Sequence, residues 1–375
     1  MDFKITKVQR ERYEEIISVV HEKLSGNADP GFARSRWAAA AKIGLTGLCL
    51  PAECGGQGLG ALDTALCLEA FGQACPDTGL VFGIAAHLLA CGVPIRDFAA
   101  EPARALLLGR LASGSAIAAN AITEDEAGSD ISHMAMTARK EGDAYVLDGE
   151  KSFVSNGPVA DVIVTYGISD PAAGYLGISA FAVPAHLAGI TRGGAYQKMG
   201  LHGCQAGWVR FASCRVPDGY RLGAEGQGSA IFKHSMTWER ACLFGTYVGL
   251  MDRQLELCIE RAKKRRQFGR NIGQFQAVSH RIVHMRQRLE GARLLLYRAC
   301  WAIDEGCADE MTVGLAKAAV SQASVANSLD SVQIFGAAGY LSGGVEQQLR
   351  DCVPSTIFSG TTEIQYELAA MEMGL

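Results

Sequence analysis

"VSHRIVHMRQRLEGARLLLYRACWAI", residues 278–303, places apolar side chains at Val278, Ile282, Met285, Leu289, Ala292, Leu296, Ala299 and Ile303. The steps alternate between four and three residues. That spacing keeps one stripe on one face of an α-helix and suits a helix packed nearly parallel to its neighbours. Helical spacing returns on either side, over about 229–262 and 310–335. Glycines interrupt at "FGAAGYLSGG", and a short last helix starts at Thr362, giving four helices after 228. Ahead of them, 115–228 holds short β-type runs, "YVLDG", "DVIVTYGI", "ISAFAVP" and "WVRFASCRVP", separated by Gly, Pro, Asn and Asp. From Glu11 to Arg110 the spacing is again helical, with breaks at "GNADPG" and "PAECGGQGLG". This order predicts an α+β multidomain chain: a helical domain over 1–114, a β domain over 115–228 and a four-helix bundle over 229–375.

At 375 residues the chain is too long for one simple core. Apolar residues make up 49% and charged residues 20%, and we expect no unbroken apolar run near the 18 to 20 residues of a membrane span. The N-terminal "MDFKITKVQRERYEE" lacks the apolar core of a secretory signal, so a cytoplasmic location is expected. The net charge of -4, from 35 basic and 39 acidic residues, gives no general attraction to nucleic acid. Twelve cysteines are scattered without CxxC pairs or Cys/His spacing suited to a metal, and read as small buried apolar residues. "KKRRQFGR", Lys263–Arg270, is either a solvated helix end or an anion site. The histidines at 87, 202, 234, 280 and 284 read as structural or surface groups, and "ECGGQGLG" as a turn. Trp208 and Tyr340 could shape a pocket or simply pack.

Two loops carry candidate chemistry. "NAITEDEAGSD", Asn120–Asp130, ends in a small-residue turn whose backbone N–H groups and hydroxyls could meet a phosphate, although the same turn also serves as an ordinary cap. "TIFSGTTEIQ", Thr356–Gln365, looks like a reactive loop, but its one carboxylate, Glu363, lies beyond the turn. A serine does not take a carbon-bound proton at neutral pH without its own base, so any base must come from elsewhere.

Five segments, "AITEDEAGSD", "GEKSFVSNG", "RRQFG", "VQIFGAAGY" and "FSGTTEIQ", occur in the order and approximate spacing of the acyl-CoA dehydrogenase flavoproteins, and the chain resembles that family over essentially its whole length. The resemblance implies a helical domain, a central β-barrel and a C-terminal four-helix bundle, with FAD as cofactor. It places Ile122, Thr123, Gly128 and Ser129 along the flavin and its pyrophosphate. Phe153, where the family more often has Trp, lies against the ring, and Ser155 lies near flavin N5. Arg265 and Phe268 would hold the FAD of a neighbouring subunit, Gln333 and Gly336 its adenosine end, and Thr361 and Glu363 also fall at the cofactor. A site built across subunits implies a homotetramer. Arg240, Phe358 and Gly360 are expected at the substrate, and the backbone N–H of Ser359 at the thioester carbonyl.

Where many relatives carry the base as Y-E-G-T, this chain reads Phe358-Ser359-Gly360-Thr361. A known variation puts the carboxylate on the first long helix of the bundle, where "HSMTWERACLFG" offers Glu239. Its apolar neighbours Met236, Trp238, Cys242, Leu243 and Phe244 would desolvate it and raise its pKa toward working pH, as a base for an activated carbon acid requires. Without the resemblance, a salt-bridged helix carboxylate is the favoured reading, and the missing loop carboxylate reverses that preference. "MTWERACLF", "QAVSHRI", "RLLLYRACWAIDEG" and "TIFSGTTEIQ" are similar to the branch of the family that oxidises L-prolyl thioesters on a phosphopantetheinylated peptidyl carrier protein, in natural-product biosynthesis. O2 or an electron-transfer flavoprotein would accept the electrons. The alternatives are a catabolic short or branched-chain acyl-CoA dehydrogenase, a DNA-associated relative, which the near-neutral charge disfavours, and a flavin monooxygenase, which would not need Glu239.

Overall fold

The computed structural model describes residues 4–26 and 31–375. The first three residues and most of the "GNADPG" break lie outside them. The N-terminal part is helical: α1 (Lys7–Leu24), α2 (Arg34–Lys42), α3 (Ala61–Ala74), α4 (Thr78–Ala86), α5 (Val93–Phe98) and α6 (Ala103–Ala112). Thr6 starts α1 with a reciprocal cap, its hydroxyl accepting from the Gln9 N–H while the Gln9 side chain accepts from the Thr6 N–H. A π turn, His87–Gly92, joins α4 to α5. Contrary to the sequence expectation, the resulting run Thr78–Phe98 is long and apolar enough to cross a membrane, but its most apolar stretch is wholly buried in the protein core.

Eight strands follow: β1 (Ala118–Ala121), β2 (Thr137–Glu141), β3 (Ala144–Ser155), β4 (Val162–Ile168), β5 (Ile178–Pro184), β6 (Ile190–Arg192), β7 (Ala206–Pro217) and β8 (Arg221–Leu222). They form one sheet in the order β6-β7-β3-β2-β4-β5-β8, with β1 parallel to β4. This corrects the expected barrel. Among the described residues the path ends at β6 and β8 without closing, and β4 makes three pairings, with β1, β2 and β5. Inward side chains, among them Tyr145, Leu147, Phe181, Val209 and Phe211, form their own small core.

The C-terminal part comprises α7 (Gly228–Trp238), α8 (Gly245–Lys264), a hairpin of β9 (Arg266–Gln267) and β10 (Arg270–Asn271), α9 (Gln276–Asp304), α10 (Glu310–Phe335), α11 (Val345–Cys352) and α12 (Thr362–Glu372). The seam on α9 is turned inward: Met285, Leu289, Ala292, Leu296 and Ala299 are buried, with Val278, Ile282 and Ile303 half-buried at its ends. Two findings differ from the sequence reading. The helix expected over 229–262 is broken by a π turn, Glu239–Leu243, and α11 is an additional helix. Helices α3 and α8 approach so closely that a Cβ at Gly72 would lie 2.1 Å from the Thr246 carbonyl oxygen, and one at Gly249 1.9 Å from that of Glu69. Buried Glu69 completes this contact by accepting from Arg293 at 3.0 Å and from the Tyr297 hydroxyl at 2.7 Å, which ties α3 to α9.

Candidate active site

A cavity of about 550 Å³ opens where the three parts meet, a size suited to an organic ligand. Its walls come from Phe82, Ala86 and Ala90 of the buried helical run, Ala118 and Asn120 of β1, and the loop residues Ile122, Thr123, Gly128 and Ser129. Phe153 and Ser155 of β3, Phe232, Met236, Glu239 and Arg240, and the C-terminal loop Ile357–Thr361 complete them. The sequence-derived positions Ile122, Thr123, Gly128, Ser129, Phe153, Ser155, Glu239, Arg240, Phe358, Ser359, Gly360 and Thr361 therefore share one cavity.

The loop after β1 is held by a buried ion pair that sequence reasoning missed. Lys151 donates to the Ile122 carbonyl at 3.1 Å and to Glu124 at 2.7 Å. Glu124 also accepts from the N–H groups of Ala135 at 2.6 Å and Met136 at 3.0 Å. Burial pushes the Lys151 ammonium below its ordinary range, and the Glu124 carboxylate only partly offsets this. Breaking such a pair leaves an uncompensated buried charge, so it fixes the loop firmly. The Ser152 N–H adds a bond to the Thr123 carbonyl at 2.8 Å. A Cβ at Gly128 would meet nothing within 4 Å, so the protein's own packing does not require glycine there, and the backbone is open to a ligand. β3 shifts register between Lys151 and Val154, and Phe153 sits at φ 55° with its ring 66% exposed, beside Tyr196. Asn156, also left-handed, donates to the Gly83 carbonyl at 2.9 Å and so ties the end of β3 to α4.

Glu239 opens the π turn and is 7% exposed. Its Oε1 accepts a hydrogen bond from the Ser359 hydroxyl, whereas Oε2 is buried without a partner among the described residues. Burial pushes the carboxyl above the ordinary glutamate range, and Ser359, Arg240 and Lys317 pull it partly back. Arg240 donates through Nε to the Ser359 carbonyl at 2.9 Å and faces Glu310 at 3.7 Å, while Lys233 pairs with Glu310 at 2.9 Å. Lys317, on α10, is fully buried, has no hydrogen-bond partner among the described residues, and lies 5.6 Å from the Phe244 ring centroid. Burial and Arg240 push it down to about 8. Arg240 was expected here from the sequence, whereas Glu310 and Lys317 were missed because they come from another helix, α10. The only sequence signal was a lysine within an otherwise apolar stretch of α10.

Phe358 lines the cavity and also packs on Phe82, with ring centroids 4.7 Å apart, and on Phe244 at 5.6 Å. Thr361 caps α12 by accepting from the Ile364 N–H at 3.3 Å. Glu363, exposed in the first turn of α12, is not among the cavity residues. Arg265 lines a separate recess of about 390 Å³ with Leu257, Glu260, Arg261, Lys264 and Phe335. Phe268 is 92% exposed at the nearby hairpin, Gln333 is exposed near the end of α10, and Gly336 follows that helix at φ 63°. Within one chain, Arg265, Phe268, Gln333 and Gly336 are thus not brought to the first cavity. Neither Trp208 nor Tyr340 lines it.

Two helical parts packed on each other, a sheet inserted between them in the chain, a loop cradle and a buried carboxylate on one cavity, and an ordered set of motifs define a flavoprotein-type dehydrogenase scaffold, which comparison with known proteins identifies. The N-terminal, middle and C-terminal domains of acyl-CoA dehydrogenase match residues 6–115, 119–214 and 226–374. The chain belongs to the acyl-CoA dehydrogenase family. It is 49% identical over 380 residues, covering 100% of both chains, to the L-prolyl-[peptidyl-carrier protein] dehydrogenase of Pseudomonas fluorescens. Among solved structures it is similar to PigA with FAD and proline, with a TM-score of 0.97 and 40% identity over 100% of both chains. It is likewise similar to the prolyl acyl carrier protein oxidase AnaB, with a TM-score of 0.96 and 36% identity over 99% of this chain and 100% of that one.

Proposed function

We propose that this protein is an FAD-dependent dehydrogenase of a carrier-tethered acyl thioester, with L-prolyl-S-peptidyl carrier protein as substrate and Glu239 as base. The observation that carries the reading is the buried carboxylate of Glu239, its Oε2 without a partner among the described residues, on the wall of a cavity that the flavin motifs also line. Full-length similarity to a prolyl-carrier dehydrogenase supports the substrate.

The residues present fit FAD. Gly128 leaves backbone open, the Phe153 ring is exposed, and Asn120, on the cavity wall, keeps a buried Oδ1 without a partner among the described residues. Ile122, Thr123, Gly128, Ser129, Phe153 and Ser155 would hold the flavin end. Arg265, Phe268, Gln333 and Gly336 would meet the far end from a neighbouring subunit, in a homotetramer. FAD, when bound, supplies the acceptor for the hydride that leaves the substrate's β-carbon.

The chain's own residues do the rest. Glu239, desolvated and so a stronger base than an exposed glutamate, takes the α-proton on Oε2. The Ser359 N–H donates to the thioester carbonyl and stabilises the charge that develops there. Phe358 and Phe82 shape the apolar side of the acyl pocket. The carrier delivers its substrate on a phosphopantetheine arm, and O2 or an electron-transfer flavoprotein reoxidises the cofactor. We propose a cytoplasmic location, as the sequence reading expects.

The test mixes the purified FAD-loaded protein, in air, with L-prolyl-loaded carrier protein or with a panel of short acyl-CoAs, and follows the mass of each acyl group. Loss of two or four hydrogens from the prolyl carrier, abolished in Glu239→Gln, is the expected result. Bleaching of the flavin by a free acyl-CoA, with the prolyl carrier untouched, would replace the substrate assignment by the catabolic one.

A further inference from the structure

We infer that the Ser359 hydroxyl positions the base: its hydrogen bond fixes Oε1 of Glu239 and leaves Oε2 as the oxygen that meets the substrate. The inference rests on the assignment of Glu239 as base and adds a second role, for the side chain rather than the backbone, to Ser359.

The geometry is a closed ring. Ser359 donates to Glu239, and Arg240, the residue next to Glu239, donates back through Nε to the Ser359 carbonyl at 2.9 Å. Gln365 Nε2 adds bonds to the Ser359 carbonyl at 3.3 Å and the Gly360 carbonyl at 3.0 Å. The loop and the π turn, 120 residues apart in sequence, are thus locked together at the carboxylate. The backbone at Ser359 sits at φ 56°, where a residue with a Cβ is disfavoured and glycine is not. Local conformation alone would therefore select glycine, and the serine is explained by what its hydroxyl does. A carboxylate held by one oxygen loses its freedom to rotate, and Oε2 is left without a partner among the described residues.

The bond also favours the ionised form of Glu239. The other groups facing it are Arg240 on its own turn, Lys317 on α10, Cys91 on the π turn after α4, and Tyr166 on β4. Burial raises the Cys91 thiol and the Tyr166 phenol, which keeps both neutral at working pH. The two cations favour the carboxylate whether or not the hydroxyl is present, so its removal reads against a constant background.

The experiment compares Ser359→Ala and Ser359→Gly as FAD-loaded protein. Two quantities are read: the pH profile of flavin bleaching by prolyl carrier, and the titration of the Glu239 carboxyl by difference infrared spectroscopy, with Glu239→Gln assigning the band. Both variants should titrate about one to two pH units higher than the parent, a tenfold to hundredfold loss of carboxylate at a pH below the parent midpoint. The glycine variant, relieved of strain, should be the more heat-stable of the two and guards against misfolding. An unchanged titration in both variants overturns the inference alone, as does a shift in Ser359→Ala with the parent titration kept in Ser359→Gly, since the role would then be conformational. Turnover that survives Glu239→Gln overturns the base assignment and this inference with it.

Discussion

At the scale of single residues, Glu239 must be ionised to act as the proposed base, yet it is buried, and burial opposes ionisation. The compromise comes from a hydroxyl and two cations that do not touch its free oxygen. Glu239→Gln should keep the fold and the FAD and lower the rate of substrate-dependent bleaching by about 10²- to 10⁴-fold, the usual contribution of a positioned base; stopped-flow absorbance measures it. Lys317 sits on the other side of the balance. Its folded pKa of about 8 lies below its ordinary 10.5, so at neutral pH the fold carries a cation it would rather release. Between those values the unfolded chain binds the extra proton, and this contribution to stability rises with pH. Lys317→Met should therefore raise the unfolding free energy at pH 7, by at most about 3 kcal/mol, less what Glu239 loses with its counter-charge. The gain should fade by about pH 10.5, while the acid limb of activity moves to higher pH. Denaturant unfolding at pH 7 and pH 10 checks the first effect. A Lys317→Met protein less stable at pH 7 than its parent would contradict it.

The elements bring these residues together. The π turn Glu239–Leu243 lies where α7 gives way to α8, and the close contact of α8 with α3 begins immediately after it. π turns are rare and cluster at functional sites. Gly249→Ala would put a methyl group 1.9 Å from the Glu69 carbonyl oxygen and force α8 away from α3. We expect about 1–3 kcal/mol of lost stability, seen as a lower Tm, together with slower flavin bleaching because Glu239 moves with its helix. A variant with unchanged Tm would mean that α3 yields instead. This element also marks what the sequence could reveal. The α9 seam was legible because eight apolar positions repeat one period along a long helix. The π turn was not, because five residues cannot separate its period from an α-helical one. Strands β4 and β5 were legible from their apolar runs. The open sheet was not, because alternation sets the face of a strand and leaves its partners unspecified. Glu239 and the flavin motifs were found through the resemblance, whereas Lys151, Lys317 and Gln365 were not, since their meaning lies in contacts between distant elements.

At the scale of the whole molecule, the first cavity and the recess at Arg265 are lined by different residues of the same chain. Beside the recess, Phe268 holds a ring 92% exposed at φ 48°, an arrangement that water alone does not reward. Arg265 and Phe335 line the recess, with Gln333 and Gly336 close by in sequence, so cation, aromatic surface and open backbone gather away from the base. If, as proposed, the residues at the recess serve a cofactor held in the first cavity of a neighbouring chain, FAD affinity is coupled to assembly. FAD occupancy should therefore fall as the protein is diluted through its assembly equilibrium, followed by flavin fluorescence alongside sedimentation velocity. Arg265→Ala should weaken FAD by about tenfold, the loss of one charge-assisted contact, while Glu239→Gln should leave it unchanged. Arg265→Ala should slow turnover only at subsaturating FAD, because the proposed base and its serine remain in place. A monomeric chain that holds FAD as tightly as the assembled protein, with Arg265→Ala silent, would show instead that one chain builds the whole cofactor site and that the exposed phenylalanine serves another surface.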